Sequence, residues 1–93
     1  MIETYVLEHL AAVAKYGTFL KVAEALNTSQ PAITRSMQKI EDELGVRLFD
    51  RTKNKITLNP LGIEAARYAQ RILDQQKNMI DFIRDMDKRS HTF

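Results

Sequence analysis

The stretch "TSQPAITR", residues 28–35, decides the fold that we expect this chain to adopt. Pro31 has no backbone N–H, but the first N–H groups of a helix have no partner inside the helix, so proline costs little there. Ser29 can cap such a helix by accepting a hydrogen bond from one of those N–H groups, and Thr28 is the competing candidate. The stretch therefore predicts a helix that begins near Gln30 with several polar side chains at its N-terminal end.

The polar side chains at this helix start have the chemistry of a DNA-reading surface. The N-terminal end of a helix carries partial positive charge and free N–H groups, both of which favour a phosphate. Gln30 can form paired hydrogen bonds with an adenine edge, and Arg35 with a guanine edge or a phosphate. Ala32 and Thr34 are small enough to let the helix approach closely, and either methyl group can contact a thymine methyl. The pattern is typical of the recognition helix of a helix-turn-helix, although Ser-Gln-Pro is also common capping chemistry without a DNA role.

Hydrophobic periodicity predicts two shorter helices before this one. The first covers residues 3–16 and is ended by Gly17, and the second is capped by Thr18 and ended by the polar residues 27–28. Gly45 ends the third helix. The residues expected to face inward are Tyr5 or Val6 with Leu7, Leu10, Val13 and Ala14 in the first helix, Phe19, Val22, Ala23 and Leu26 in the second, and Ile33, Met37, Ile40 and Leu44 in the third.

The period of the apolar residues changes after the third helix and indicates a β-hairpin. Two short runs, which contain Leu48, Phe49, Ile56 and Leu58, flank the sequence "TKNK". Asn54 tolerates the unusual backbone of a tight hairpin turn. Because Arg51, Lys53 and Lys55 cluster around the turn, the hairpin is predicted to act as a wing whose cations reach phosphates or a neighbouring minor groove. The alternative is a basic hairpin that is only solvated.

One long helix is predicted from Pro60, with Asn59 as its cap, to about Asp87. Apolar and small residues recur on it in alternating steps of four and three, which is the spacing of a coiled-coil seam. A three-helix domain is too small to cover this seam, so we expect a second copy of the chain to cover it, while the N-terminal part of the helix can pack on the first helix. The residues expected to form this dimer contact are Ala65, Ala69, Ile72, Gln76, Met79, Ile80, Ile83 and Met86.

Composition and charge exclude several other classes of protein. The 93 residues form one small domain, and the lack of cysteine excludes disulfides and thiolate metal sites and suits a reducing cytoplasm. No apolar run approaches the roughly 20 residues that span a bilayer, and the acidic N-terminus does not resemble a signal peptide. The net charge of +2 is too small to indicate DNA binding by itself.

Catalytic patterns are also missing from the sequence. His9 and His91 are far apart, and neither has a partner at metal-ligand spacing. No glycine-rich phosphate loop or serine–histidine–acid pattern is visible. The acidic residues 41–43 are expected to form a solvated helix end rather than a pair of catalytic carboxylates. We therefore expect a cytoplasmic protein that is not an enzyme and that needs no metal or cofactor.

Taken together, these motifs resemble the N-terminal DNA-binding domain of LysR-type transcriptional regulators. The resemblance runs from about Leu7 to Gly62 and rests on "VAKYGTF", "VAEALNTSQPAITRSMQKIEDELGVRLFDR" and "ITLNPLG". It implies a mainly α fold, a winged helix-turn-helix of three helices and a β-hairpin wing, followed by a long linker helix used for dimerisation. The positions that match the family's groove-facing residues are Gln30, Pro31, Thr34 and Arg35, and Arg51 matches its wing arginine.

The expected organisation is a winged helix-turn-helix at residues 1–59, a linker helix at 60–89 and a tail at 90–93. The expected function is sequence-specific binding of double-stranded DNA in bacterial transcription regulation, as a homodimer on an interrupted inverted repeat. The candidate DNA contacts are Ser29, Gln30, Pro31, Thr34, Arg35, Arg51, Lys53 and Lys55. The alternative function is that of a helical protein-interaction or dimerisation module without direct DNA contact.

The length of the chain differs from the pattern of this family. Family members normally continue into a much larger ligand-binding domain, whereas this chain stops at Phe93. It is therefore expected to be either an excised DNA-binding domain or a natural short form. A small-molecule inducer would act only through a C-terminal domain that these residues do not contain.

Overall fold

A computed structural model of the protein describes residues 1–90, and that part of the chain contains four α-helices and one β-hairpin. The elements in chain order are α1 (Thr4–Tyr16), α2 (Phe19–Ala25), α3 (Gln30–Leu44), β1 (Phe49–Thr52), β2 (Lys55–Leu58) and α4 (Pro60–Ser90). The predicted order of elements is confirmed, and so is the start of the third helix. Of the predicted tail, Ser90 ends α4, and residues 91–93, which include His91, lie outside the described residues.

The first three helices enclose the core because each turns one apolar stripe inward. In α3 the stripe is Ile33, Met37 and Ile40, each at most 2% exposed. The other core residues are Val6, Leu10, Ala12 and Val13 of α1, Phe19, Val22 and Ala23 of α2, Leu48 and Phe49 at the hairpin, and Ala66 and Ala69 of α4. Val6 rather than Tyr5 therefore opens the inward face of α1.

Three residues predicted to face inward are exposed instead. Leu26 follows the last residue of α2 and Leu44 is the last residue of α3, so both lie where their helices end, and they are 39% and 45% exposed. Ala14 is exposed because the inward stripe of α1 is rotated toward Ala12, which is buried. In each case the periodicity identified the helix correctly but placed the edge of its buried stripe wrongly.

Asn27 closes the turn between α2 and α3. Its φ is 55°, the only positive value at a non-glycine residue in the described part of the chain. The Thr28 N–H donates to the Ala23 carbonyl at 2.9 Å and the Asn27 N–H to the Glu24 carbonyl at 3.3 Å, the two bonds of a Schellman motif. Asparagine is one of the few residues that tolerate this left-handed backbone. The assignment of an unusual backbone to Asn54 is wrong, since its φ is not positive.

The β-hairpin is anchored to the core at one end only. β1 and β2 pair antiparallel with Thr52 opposite Lys55, so the turn contains two residues. Phe49 at the start of β1 is buried, and its ring meets the ring of Phe19 edge-on, with centroids 5.3 Å apart. The turn end of the hairpin is exposed, and its polar side chains therefore face solvent.

The start of α4 is fastened to the segment that precedes the hairpin. Asn59 caps the helix as predicted, because its Oδ1 accepts from the Gly62 N–H at 2.8 Å. Its Nδ2 donates to the Arg47 carbonyl at 2.9 Å, and its backbone N–H donates to the Leu48 carbonyl at 2.9 Å. A Cβ at Gly62 would lie 2.1 Å from the same Leu48 carbonyl oxygen. Only glycine permits so close an approach between the two backbones.

The rest of α4 extends away from the core. With 31 residues, the helix is roughly 45 Å long at 1.5 Å per residue, and the long axis of the molecule is 63 Å. Its first turns pack on α1, where Ala66 and Ala69 are buried and Ala65 is half-buried. The prediction that Ala69 contacts a second copy is wrong, because this chain's own core already covers it. Ala65 likewise packs against that core.

Gly62→Ala is expected to lower the free energy of unfolding by about 1–3 kcal/mol, because the added methyl group overlaps the Leu48 carbonyl oxygen. Alanine is otherwise favoured over glycine inside helices by about 1 kcal/mol, so the sign of the change is informative. Denaturant unfolding followed by circular dichroism measures it, with Gln75→Ala at an exposed position of α4 as the control. A Gly62→Ala protein as stable as the parent would contradict the close approach.

Candidate nucleic-acid interface

The N-terminal end of α3 is an exposed and capped helix start. The Oγ of Ser29 accepts a hydrogen bond from the Ala32 N–H at 3.2 Å, so Ser29 rather than Thr28 is the cap. Pro31 lies in the first turn, where its missing N–H leaves no helical hydrogen bond unmade. The remaining N–H groups of this turn give the helix end partial positive charge.

The side chains of the first two turns of α3 are available to a ligand. Gln30, Pro31 and Arg35 are exposed, and Thr34 is half-buried. The Thr34 hydroxyl donates to the Gln30 carbonyl at 3.2 Å, which satisfies its proton within the helix and leaves its methyl group as contact surface. The side chains of Gln30 and Arg35 form no hydrogen bond or ion pair with any other residue in the described range.

Gln30 and Arg35 lie on opposite edges of the exposed face of α3. Gln30 lines a groove of about 420 Å³ between the start of α2 and the hairpin, where Leu20 and Lys55 also lie. Arg35 lines a different groove, of about 530 Å³, between α1 and α3. A helix inserted into a DNA major groove, which is about 12 Å wide, has one backbone strand on each side. The groove at Gln30 and the groove at Arg35 lie on different sides of the exposed start of α3.

The three candidate cations of the hairpin are exposed and lie in different parts of the surface. Lys55 shares a groove with Gln30, whereas Lys53 lies in the turn. Arg51 occupies the same side of β1 as the buried Phe49, and it lines a third groove beside the C-terminal half of α3. The hairpin therefore spreads its positive charge between the groove at Gln30, the turn, and the groove beside the C-terminal half of α3.

Two residues that the sequence analysis did not select also line this third groove. Gln38 and Arg47 share it with Arg51, in a volume of about 640 Å³. Gln38 follows Pro31 by seven residues, or two helical turns, so it lies on the same exposed face. That spacing could have identified Gln38. Arg47 has no such signal, because the position of a loop residue depends on the elements around it.

Two of the three acids at the C-terminal end of α3 have structural partners. Glu41 is half-buried, and its carboxylate accepts a hydrogen bond from the Leu48 N–H at 2.8 Å. Glu43 pairs with the N-terminal ammonium of Met1 at 2.7 Å, which raises the pKa of that ammonium. The prediction of a merely solvated helix end is therefore wrong for Glu41, whereas the exposed Asp42 agrees with it.

His9 lies half-buried between α1 and α3. Its Nδ1 is 2.6 Å from the Oγ of Ser36. Ser36 is 3% exposed, and its hydroxyl group donates a hydrogen bond to the Ile33 carbonyl at 3.0 Å. Burial lowers the pKa of His9, and the charge of Glu8 opposes that change. The sequence showed His9 only as an isolated histidine, because its partner is 27 residues away.

The far half of α4 presents an apolar face to solvent. Its exposed apolar residues are Ile72, Met79, Ile80, Phe82, Ile83 and Met86, and the exposed Gln76 and half-buried Leu73 lie on the same length of helix. Exposed apolar patches of this kind mark interaction surfaces. Six of the eight predicted dimer residues are therefore accessible, while Ala65 and Ala69 lie against the core.

Residues 1–90 contain no group of three or more histidine, aspartate or glutamate side chains placed to hold a metal ion. Within the same range, no helix has both the length and the apolar character required to cross a membrane.

The sequence matches the profile of a known protein family and individual curated proteins. Residues 5–63 match the family described as "Bacterial regulatory helix-turn-helix protein, lysR family". The chain is 38% identical over 81 residues to the SDS degradation transcriptional activation protein of Pseudomonas sp. (strain ATCC 19151), a match that covers 87% of this chain and 26% of that protein. The chain therefore spans about a quarter of the length of that relative.

The fold also matches solved structures that contain DNA. The DNA-binding domain of CbnR in its DNA complex has 36% sequence identity and a TM-score of 0.85, over 91% of this chain and 98% of that one. DarR of Vibrio fischeri in complex with DNA has 32% identity and a TM-score of 0.83, over 95% of this chain and 30% of that one.

Ser29→Ala is expected to lower the free energy of unfolding by about 0.5–2 kcal/mol, because it removes the hydrogen bond to the Ala32 N–H. Thr28→Ala is the matched control and should have a smaller effect, since no cap hydrogen bond depends on its side chain. Urea unfolding of the two variants measures the difference. Equal losses of stability would contradict the assignment of the cap to Ser29.

Proposed function

The chain belongs to the LysR family of bacterial regulatory helix-turn-helix proteins, in which it is a DNA-binding domain, and we propose that it reads duplex DNA with α3. The observation that carries the proposal is the exposed N-terminal end of α3, where Gln30 and Arg35 have no partner among the described residues. A module that only bound proteins would have no reason to keep this end polar and free of bulky groups.

We infer separate roles for the exposed residues of α3. Gln30 pairs with an adenine edge, and Arg35 with a guanine edge or a phosphate. Pro31 and the Thr34 methyl group form the close contact surface between them and can meet thymine methyl groups. Ser29 holds the helix end in place, and the free N–H groups beside it face a phosphate. Base contacts supply specificity, and the phosphate contacts set the position of the helix on the duplex.

The hairpin is proposed to act as the wing of the DNA-binding surface. Arg51, Lys53 and Lys55 are exposed, and Arg51 and Lys55 line grooves that also contain residues of α3. They are proposed to neutralise phosphates, with Arg51 as the candidate for entering a minor groove. Such contacts contribute affinity to every DNA sequence and little specificity.

Two copies of the chain are proposed to bind together through α4. The apolar face between Ile72 and Met86 has the four-and-three spacing of a helix–helix seam, and its side chains are exposed in the single chain. A two-fold dimer presents two α3 helices to DNA and requires an interrupted inverted repeat.

The wider role is proposed to be transcription regulation in the cytoplasm, where bacterial DNA lies. Because this chain spans about a quarter of the length of the matched curated protein, a small-molecule inducer is proposed to act only through a further domain.

Binding to generic duplex DNA is expected to weaken steeply as salt rises, because each neutralised phosphate releases counterions. Lys53→Ala should flatten the slope of log affinity against log salt by about one unit per subunit. Gln30→Ala should leave the slope unchanged, since this side chain is neutral. Gel retardation across a salt series measures both, and Lys77→Ala on the far half of α4 is the matched control for loss of one charge.

Two outcomes of this salt series would count against the proposal. If the parent protein does not retard duplex DNA at low salt, the proposed function is wrong. If Arg51→Ala, Lys53→Ala and Lys55→Ala all keep the parent's slope, the hairpin is not part of the binding surface.

The chain is expected to sediment as a dimer at micromolar concentration, and the double variant Ile72→Glu, Ile83→Glu as a monomer, because two carboxylates in the apolar contact cannot be buried without a partner. Asn78→Glu on another side of α4 is the control and should remain dimeric. A monomeric parent would contradict the proposed contact. So would a double variant that stays dimeric and binds DNA as well as the parent.

A further inference from the structure

We propose that the groove between α1 and α3 holds a phosphate of the DNA backbone and that protonated His9 donates a hydrogen bond to it. This α1–α3 groove is lined by Tyr5 and His9 of α1, Thr28 of the turn, and Arg35, Ser36 and Lys39 of α3. The inference rests on the proposed DNA binding and adds one consequence: His9 takes up a proton when the protein binds DNA.

The position of the α1–α3 groove suits a backbone strand. Arg35 and Lys39 are four residues apart and so lie on one edge of α3, the edge that faces α1. When the outer face of α3 meets base edges, this edge faces one of the two strands that bound the major groove. Thr28 and Tyr5, whose side chains carry hydroxyl groups, line the same volume, so the residues of the groove combine positive charge with hydrogen-bond donors.

The hydrogen bonds of His9 determine where an added proton goes. Ser36 has a single hydroxyl proton, which it donates to the Ile33 carbonyl. Its Oγ therefore accepts from the Nδ1–H of His9, and Nε2 of the neutral ring carries no proton. Protonation adds a donor at Nε2 without breaking the bond to Ser36. The ring of Tyr5, 5.5 Å away and edge-on, restricts the imidazole further.

An anion in the α1–α3 groove would offset the effect of burial on the protonation of His9. Burial lowers the pKa of His9, and the cations Arg35 and Lys39 line the same groove. The acids nearby are Glu8, which raises the pKa of His9, and Glu3, which is paired with Lys39. A phosphate in the α1–α3 groove would offset the positive charges and stabilise the protonated ring.

The test is the pH dependence of binding to a fluorescently labelled generic duplex at constant salt. His9→Asn keeps a donor near the position of Nδ1 but cannot gain a proton. Between about pH 8 and about pH 6, the parent's affinity should rise by up to about tenfold per pH unit for each proton taken up, and that of His9→Asn should stay nearly constant. His91→Asn, which removes the other histidine of the sequence, should retain the parent's pH dependence.

A second measurement does not depend on a substitution at His9. The imidazole proton resonances of His91→Asn report the pKa of His9 in the free and DNA-bound protein, and this pKa should rise by about one unit or more on binding. An unchanged or lowered pKa would overturn the inference, and so would equal pH dependence in the parent and His9→Asn. Failure of the parent to bind duplex DNA at any pH and low salt would instead overturn the proposed function, and this inference with it.

Discussion

The buried stripe of α3 is the contact on which the rest of the structure depends. Ile33, Met37 and Ile40 pack against the other two helices of the domain and are almost completely covered. Because successive residues of a helix are separated by about 100°, this stripe also determines which side chains face outward. A shift of the stripe by one residue would rotate the helix by about 100° and turn either Gln30 or Arg35 toward the core. The packing that stabilises the core therefore also sets the orientation of the side chains proposed to contact DNA.

A second set of contacts joins α3, which carries the proposed base-contacting residues, to α4, which carries the proposed dimer contact. Glu41 of α3 accepts a hydrogen bond from Leu48, and Asn59 at the start of α4 bonds to the carbonyl groups of Leu48 and Arg47. Gly62 brings the α4 backbone into direct contact with the same segment. Four backbone or cap contacts thus connect α3 to α4 within a few residues. A dimer formed through α4 would consequently hold two α3 helices at a fixed distance, which is the condition for reading two half-sites together.

The sequence predicted those features that depend on neighbouring residues. The elements, the start of α3 and the cap at Ser29 follow from local periodicity and helix-end chemistry, although the sequence alone also allows Thr28 as the cap. The left-handed turn residue was misplaced, because Asn27 and Asn54 both lie in polar turns and only the hydrogen bonds of the folded chain distinguish them. The contact of His9 with Ser36 was invisible, since no local pattern relates residues 27 positions apart. The base-facing candidates could be chosen from one helix, whereas the grooves beside that helix required the whole fold.

We propose that α4 holds two α3 helices at a fixed distance. The most direct test is to let the 93-residue protein select bound sites from a random duplex library. A dimer of this geometry should enrich an interrupted inverted repeat whose half-site centres are about 34–36 Å apart, or a multiple of that distance. Enrichment of an unrepeated half-site, or of no sequence at all, would contradict it.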